Sequence, residues 1–251
     1  LGARVMPVIG KQNVPLINDP TATFVSEADV ISSGMSQTDP TLAQIEVRPS
    51  LVYATTNYAW HVQSFSPADV EQEVKKSFGR ALAKAANEKF IVGTGSDQPE
   101  GLKACATGVT AASETVFTAA ELIALWNSLD PWYQMSSAFI VSPAAATLLR
   151  TLESDNGAPL WYANLKDGNN ELFGRPVVID PYMEGLTTSA VPIIVGDVAE
   201  AYVIAESPIF FVVDPYSRAR HAENVVTAYQ FCDGRIRRST AAKKLVMSDG
   251  L

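Results

Sequence analysis

Apolar positions recur at helical spacing through the first third of the chain. Val70, Val74, Phe78, Leu82 and Ala85 form one stripe, and the pattern predicts a helix from Pro67 to about Ile91. Ser66 stands where an N-cap belongs, Pro67 suits the first helical position, and Asp69 and Glu71 fall in the first turn, where the helix dipole favours acid. At 1.5 Å per residue such a helix would be roughly 36 Å long, a spine rather than an ordinary packing helix. It runs into Gly93-Thr94-Gly95-Ser96-Asp97-Gln98-Pro99-Glu100-Gly101, and Gly93 reads as a left-handed C-cap followed by a turn.

Before the spine the pattern is different. Residues 18–50 hold Ser32-Ser33-Gly34, Gln37-Thr38-Asp39-Pro40 and scattered apolar positions. They read as two extended arms joined by a polar turn between Gly34 and Asp39. A long hairpin with so little core of its own needs a partner surface. Leu51 to Phe65, rich in β-branched and aromatic residues, reads as a strand.

After the spine, Thr118 and Glu121 make a capping box for a second helix whose Leu122, Leu125, Trp126 and Leu129 share a face; Asp130-Pro131 stops it. Ala138–Val141 reads as a buried strand, and Ser142-Pro143 starts a third helix. Residues 154–171 read as loop. Short strands follow at Pro176–Ile179, Pro192–Val195, Ala201–Ala205, Ile209–Val213 and Lys243–Met247. Asn224–Phe231, a turn at Asp233-Gly234 and Arg235 onward read as a hairpin. Strands and helices do not alternate regularly, so the fold class is α+β rather than a doubly wound parallel sheet.

Charge sharpens this picture. The net charge is −8, which argues against a surface that grips nucleic acid through phosphates. From Gln12 to Val47 there is no Lys or Arg, only Asp19, Glu27, Asp29, Asp39 and Glu46; the C-terminal part carries Arg218, Arg220, Arg235, Arg237, Arg238, Lys243 and Lys244. Two solvated faces would explain the asymmetry, and so would complementary patches meeting between subunits, which we favour.

Candidate chemistry is sparse. The glycine loop lacks the Lys-Ser/Thr of a P-loop and follows a helix, where phosphate motifs follow a strand. His61 and His221 stand alone without a Cys/His cluster, so no zinc-type metal site is expected. No Ser sits in a G-x-S-x-G context. Asp97 and Glu100 lack the full oxygen-ligand loop of a calcium site. Cys105 and Cys232 read as free, buried thiols. No cofactor is called for, no apolar run is long enough to span a bilayer, and no signal peptide opens the chain.

Four blocks in order resemble the major capsid protein of tailed bacteriophages of the Hong Kong 97 type. They are Phe24-Val25-Ser26-Glu27 with Ala59–Ser64; the spine and its Gly-Thr-Gly…Pro-Glu-Gly-Leu exit; Leu172-Phe173-Gly174-Arg175-Pro176-Val177-Val178; and Val195-Gly196-Asp197 with Ala201–Ile204, Asn224–Val226 and Asp233-Gly234-Arg235. The resemblance implies an N-terminal arm (1–17), an extended E-loop hairpin (18–50), a peripheral domain (51–104 and 206–236) and an axial domain (105–205, completed by 237–251). It implies a structural subunit without catalytic residues that assembles into pentamers and hexamers. These would form an icosahedral shell around DNA, in the virion, built in the host cytoplasm. Portal, scaffold, protease or cement proteins are the further partners it suggests, and a chain opening at Leu1 would fit a processed precursor as well as a trimmed one.

The expected assembly contacts set Glu27, Asp29, Asp39 and Glu46 on the loop against Arg218, Arg220, Arg235, Arg237 or Arg238 of a neighbour. Some family members weld subunits through a Lys–Asn isopeptide bond. Here the loop has no Lys and Asn224 is the nearest Asn to Ala228, so that cross-link is not expected. A nanocompartment shell of the same fold and a soluble α+β hydrolase using His61 or His221 are the alternatives.

Overall fold

The computed structural model describes residues 2–7, 10–17, 42–61, 70–152, 161–163 and 170–250. Along the chain run β1 (Arg4–Pro7), β2 (Gln12–Ile17), β3 (Leu42–Val47), β4 (Ser50–Ala59), helix α1 (Val70–Val92), β5 (Ala106–Thr110), α2 (Ala119–Asn127), α3 (Pro131–Gln134), β6 (Ala138–Val141) and α4 (Pro143–Thr151). Then come β7 (Trp161–Ala163), β8 (Asn170–Leu172), β9 (Arg175–Ile179), β10 (Ile193–Gly196), α5 (Val198–Ala201), β11 (Tyr202–Glu206), β12 (Phe210–Asp214), β13 (Glu223–Ile236) and β14 (Ala242–Val246).

Among the described residues the strands form three sheets. In the first, β13 is the axis: β4 pairs along one edge from Glu223 to Cys232, while β12 and β11 share the other. β1 adds to β11 in parallel. The second sheet has seven strands in the order β5-β14-β10-β6-β9-β8-β7. The third is the pair β2–β3, the root of the expected E-loop; its expected turn, Gly34–Asp39, lies outside the described residues, as does the expected spine start at Ser66–Asp69.

The spine α1 spans 23 residues and packs one side on the first sheet. Phe78 and Leu82 meet Val226 and Ala228 of β13, with Val52 and Ala54 of β4 alongside. The stripe does not continue through Ala85, which is exposed, but through Ala86 to Phe90, because steps of four keep one face toward the sheet. The second sheet buries its own core against α2 and α4, where Leu122, Leu125 and Leu149 pack on Phe139, Ile193 and Leu245. The capping box of α2 is present: Thr118 N–H donates to Glu121 Oε2 at 2.7 Å and Glu121 N–H to Thr118 Oγ1 at 3.3 Å. Helix α2 stops at Asn127, before Asp130-Pro131, and Asp130 caps the short α3, accepting from Trp132 N–H at 2.9 Å.

Three expectations are corrected. Asp233-Gly234 is not a turn, because β13 runs unbroken through it. Gly234 is required there for another reason. A Cβ would fall on the hydroxyl of Tyr202, 2.7 Å from its Cζ and 3.0 Å from Phe90 Cδ1. Gly93 is not in the left-handed region; it lets the carbonyl of Pro99 approach, and Gly101 N–H closes the loop onto Gly93 O at 2.8 Å. Within this loop the left-handed residues are Gly95 and Asp97 (φ +79° and +53°). Within 154–171, Trp161–Ala163 and Asn170–Glu171 are strand, not loop, since β7 and β8 pair and extend the second sheet through β9. Strand β11 sits in the first sheet, paired antiparallel with β13.

Candidate assembly surfaces

Two residues, Arg48 and Pro49, carry the chain from β3 to β4 and hence from one sheet to another. The hairpin root is held on the body by apolar packing: Val14 and Val47 bury against Ala205, with Met6 and Ile45 beside them. A polar junction faces it. Asp233 is fully buried, and its carboxylate accepts from Arg48 N–H at 2.7 Å, Gly234 N–H at 2.8 Å and Arg235 Nε at 3.3 Å. Arg235 in turn donates to the carbonyl of Gly95 at 3.3 Å. Glu100 N–H donates to Gly234 O at 2.8 Å, and its carbonyl accepts from the Tyr202 hydroxyl. Where β4 stops pairing with β13, the glycine loop and the Arg48 corner therefore take over its open edge. A polar cleft of about 700 Å³ lies there, lined by Glu46, Arg48, Leu51, Gly95, Asp97 and Arg235 among others.

The outer face of the first sheet is unlike its spine face. Tyr53, Tyr229 and Phe210 stand in register across β4, β13 and β12. The rings of Phe210 and Tyr229 stack at 5.5 Å. Tyr53 is 68% exposed, Phe210 44%, and Val212 and Leu51 also lie open. Strand β12 reads Phe-Phe-Val-Val-Asp, and among the described residues its far edge pairs with no strand. Such an edge and such a face are unusual on a chain that works alone.

The expected contact residues fall in different settings. Glu27, Asp29 and Asp39 lie outside the described residues. Glu46 is engaged within its own chain, by Lys11 and by a two-pronged bond from Arg48 at 2.9 and 3.0 Å. Arg235 is bound to Asp233. Arg237 holds Glu200 at 2.9 Å, and Arg238 reaches the Tyr133 hydroxyl at 3.4 Å. Arg218 pairs with Glu223 at 3.2 Å near the β12–β13 tip, where Arg220 and His221 are exposed. The structure thus brings four of the five arginines into intrachain contacts in and beside β13. The partners Asp233 and Glu200 could not be chosen from charge pattern alone, and the outer aromatic row escaped the sequence reading because it spans three strands distant in sequence.

Neither histidine lines the polar cleft or a second, apolar groove of about 470 Å³ between Val5, Ala83, Phe90 and Ile209. Among the described residues no group of three or more His, Cys, Asp or Glu is placed to hold a metal, and no helix is long and apolar enough to cross a membrane. Cys105 and Cys232 are free and buried in the core that joins spine and second sheet, and burial pushes both thiols up to about 11.

The fold has close counterparts among solved structures. The capsid of a native GTA particle superimposes with a TM-score of 0.83 at 22% identity, covering 98% of this chain and 88% of that one. Microbacterium phage Oxtober96 gives 0.70 at 14%, covering 98% and 89%. The holo-SrpI encapsulin complex of Synechococcus elongatus gives 0.71 at 14%, covering 99% and 86%. No curated protein matches the sequence. The profile of the phage capsid family matches residues 2–247, and with the Hong Kong 97-type α+β fold in place the chain belongs to that family.

Proposed function

We propose that this shell-forming capsid subunit assembles as pentamers and hexamers into an icosahedral shell around phage DNA, with the hairpin rooted in β2–β3 laid across a neighbouring copy. The observation that carries the proposal is the exposed row Tyr53–Tyr229–Phe210 beside the unpaired β12 edge. One subunit leaves that apolar face in water, and repeated head-to-tail contact between identical chains would cover it. In this reading the first sheet and spine are the peripheral domain, the second sheet is the axial domain, and Glu27, Asp29 and Asp39 meet a neighbour's Arg218 or Arg220. The proposal also places assembly in the host cytoplasm, with portal, scaffold, protease or cement proteins as partners. A net charge of −8 fits a wall that contains DNA without gripping it.

Electron microscopy and light scattering of the concentrated protein test this. Closed shells are expected from the native chain. Tyr53→Lys with Val212→Lys should leave the subunit folded and abolish shells; shells of normal size and yield from that variant reject the reading. The second reading, a compartment filled with cargo, draws on the apolar groove beneath the spine, the kind of feature a cargo segment would need. The ultraviolet spectrum of particles purified from cells separates the two, because DNA raises absorbance near 260 nm and a protein cargo does not.

A further inference from the structure

We infer that Asp233 is the positioning residue of the assembly hairpin: through one buried carboxylate it fixes the direction in which β2–β3 leaves the body. The inference rests on the proposed role of that hairpin.

The geometry is specific. The link between β3 and β4 is only Arg48-Pro49, and Pro49 already restrains Arg48 to extended backbone. The remaining freedom is rotation about the corner. The apolar cluster Val14, Val47 and Ala205 holds the root from one side, but such packing is not directional. The bond from Arg48 N–H to Asp233 Oδ2, at 2.7 Å, is directional. Asp233 is itself immobile: its other oxygen accepts from Gly234 N–H, and Arg235 braces it while reaching Gly95 on the loop that follows the spine. The corner is thereby referred to two rigid elements, β13 and the end of α1. The polar cleft that borders the corner, lined by Glu46, Arg48 and Arg235, leaves room for the hairpin to swing once that bond is gone.

The test uses the whole chain, as unassembled subunits and as shells. Arg48→Pro removes the donor N–H while leaving Asp233 and its other bonds in place; Arg48→Ala keeps the donor and loses only the side chain. Asp233→Asn keeps an acceptor, and Asp233→Ala does not. Amide exchange in Leu42–Val47 and Ser50–Tyr53 should rise about tenfold or more in Arg48→Pro and Asp233→Ala, with β10 and β14 unchanged. The same two variants should lose closed shells, and Arg48→Ala and Asp233→Asn should keep them. Unchanged exchange in the hairpin overturns the inference, whatever happens to assembly. So does an even rise across all strands, which would make Asp233 a general support of the fold, and so do normal shells alongside a loosened hairpin. Failure of the underlying reading shows separately, as normal shells from a chain lacking residues 18–41.

Discussion

Gly234→Ala is the sharpest probe of how β13 packs against Tyr202 of β11 and Phe90 of the spine. The added methyl would land on the Tyr202 hydroxyl and 2.7 Å from Tyr202 Cζ, against an ordinary contact of roughly 3.4 Å or more. Tyr202 cannot step aside freely. It is 1% exposed, its ring lies edge-on to Phe90 at 6.3 Å, and its hydroxyl donates to the carbonyl of Glu100. Accommodation requires the hydroxyl, which the Cβ would meet at 2.0 Å, to move by more than about an ångström, and the hydrogen bond is lost with it. Overpacking of this kind costs about 1–3 kcal/mol and the lost bond about 1 kcal/mol, so we expect a total of about 2–4 kcal/mol. For a chain of this length that is a fall of about 5–15 °C in melting temperature. The measurement is urea and thermal unfolding of unassembled subunits, because assembly would raise apparent stability by mass action. Tyr202→Phe completes the cycle. It removes the oxygen that the methyl strikes, so the double variant should be clearly more stable than the sum of the two single losses. Additive losses, or a Gly234→Ala protein within about 0.5 kcal/mol of native, would refute the steric argument.

Leu82→Ala, which empties a fully buried site between spine and first sheet, should cost about 2–5 kcal/mol in urea unfolding; a smaller loss would mean the spine is only loosely seated. Thr118→Ala breaks the capping box and should cost about 1 kcal/mol at neutral pH. Burial works against ionisation of Glu121, but bonds from Thr118 N–H, Ala112 N–H and the Thr118 hydroxyl outweigh it and hold its carboxyl below the usual value. That contribution is present above about pH 4.5 and is lost as pH falls through the lowered folded value, so acid titration of Thr118→Ala should show a weaker acid-dependent loss than native. Cys105 and Cys232, pushed up to about 11 by burial, should react with a thiol reagent at pH 8 only as fast as the protein opens. The same shift removes stability as pH rises above about 9, where the thiols of the unfolded chain ionise first.

The parts of the fold legible in sequence are those whose signal is local. The spine shows as apolar residues four apart, α2 as Thr118 and Glu121 three apart, and α4 as Ser142-Pro143. What stayed hidden depends on partners far along the chain. Asp-Gly within an alternating run is a turn signal, and at Asp233-Gly234 it misleads because the glycine serves Tyr202, a residue on another strand. Strands β7 and β8 are too short to show a period of their own and exist by pairing. The arginines near the C-terminal end were visible as a basic cluster. That Arg235 braces a buried Asp233, and that Asp233 meets Arg48, 185 residues earlier in the chain, beside the β4–β13 pairing, was not, since charge pattern carries no distance.

Strand β14 lies between β5 and β10 in the interior of the second sheet. During translation, Ala106–Thr110 leaves the ribosome long before Ala242–Val246 exists to pair with it. The nascent half-sheet therefore waits with an open seam, and this half of the subunit closes only after β14 has emerged to fill the gap between β5 and β10.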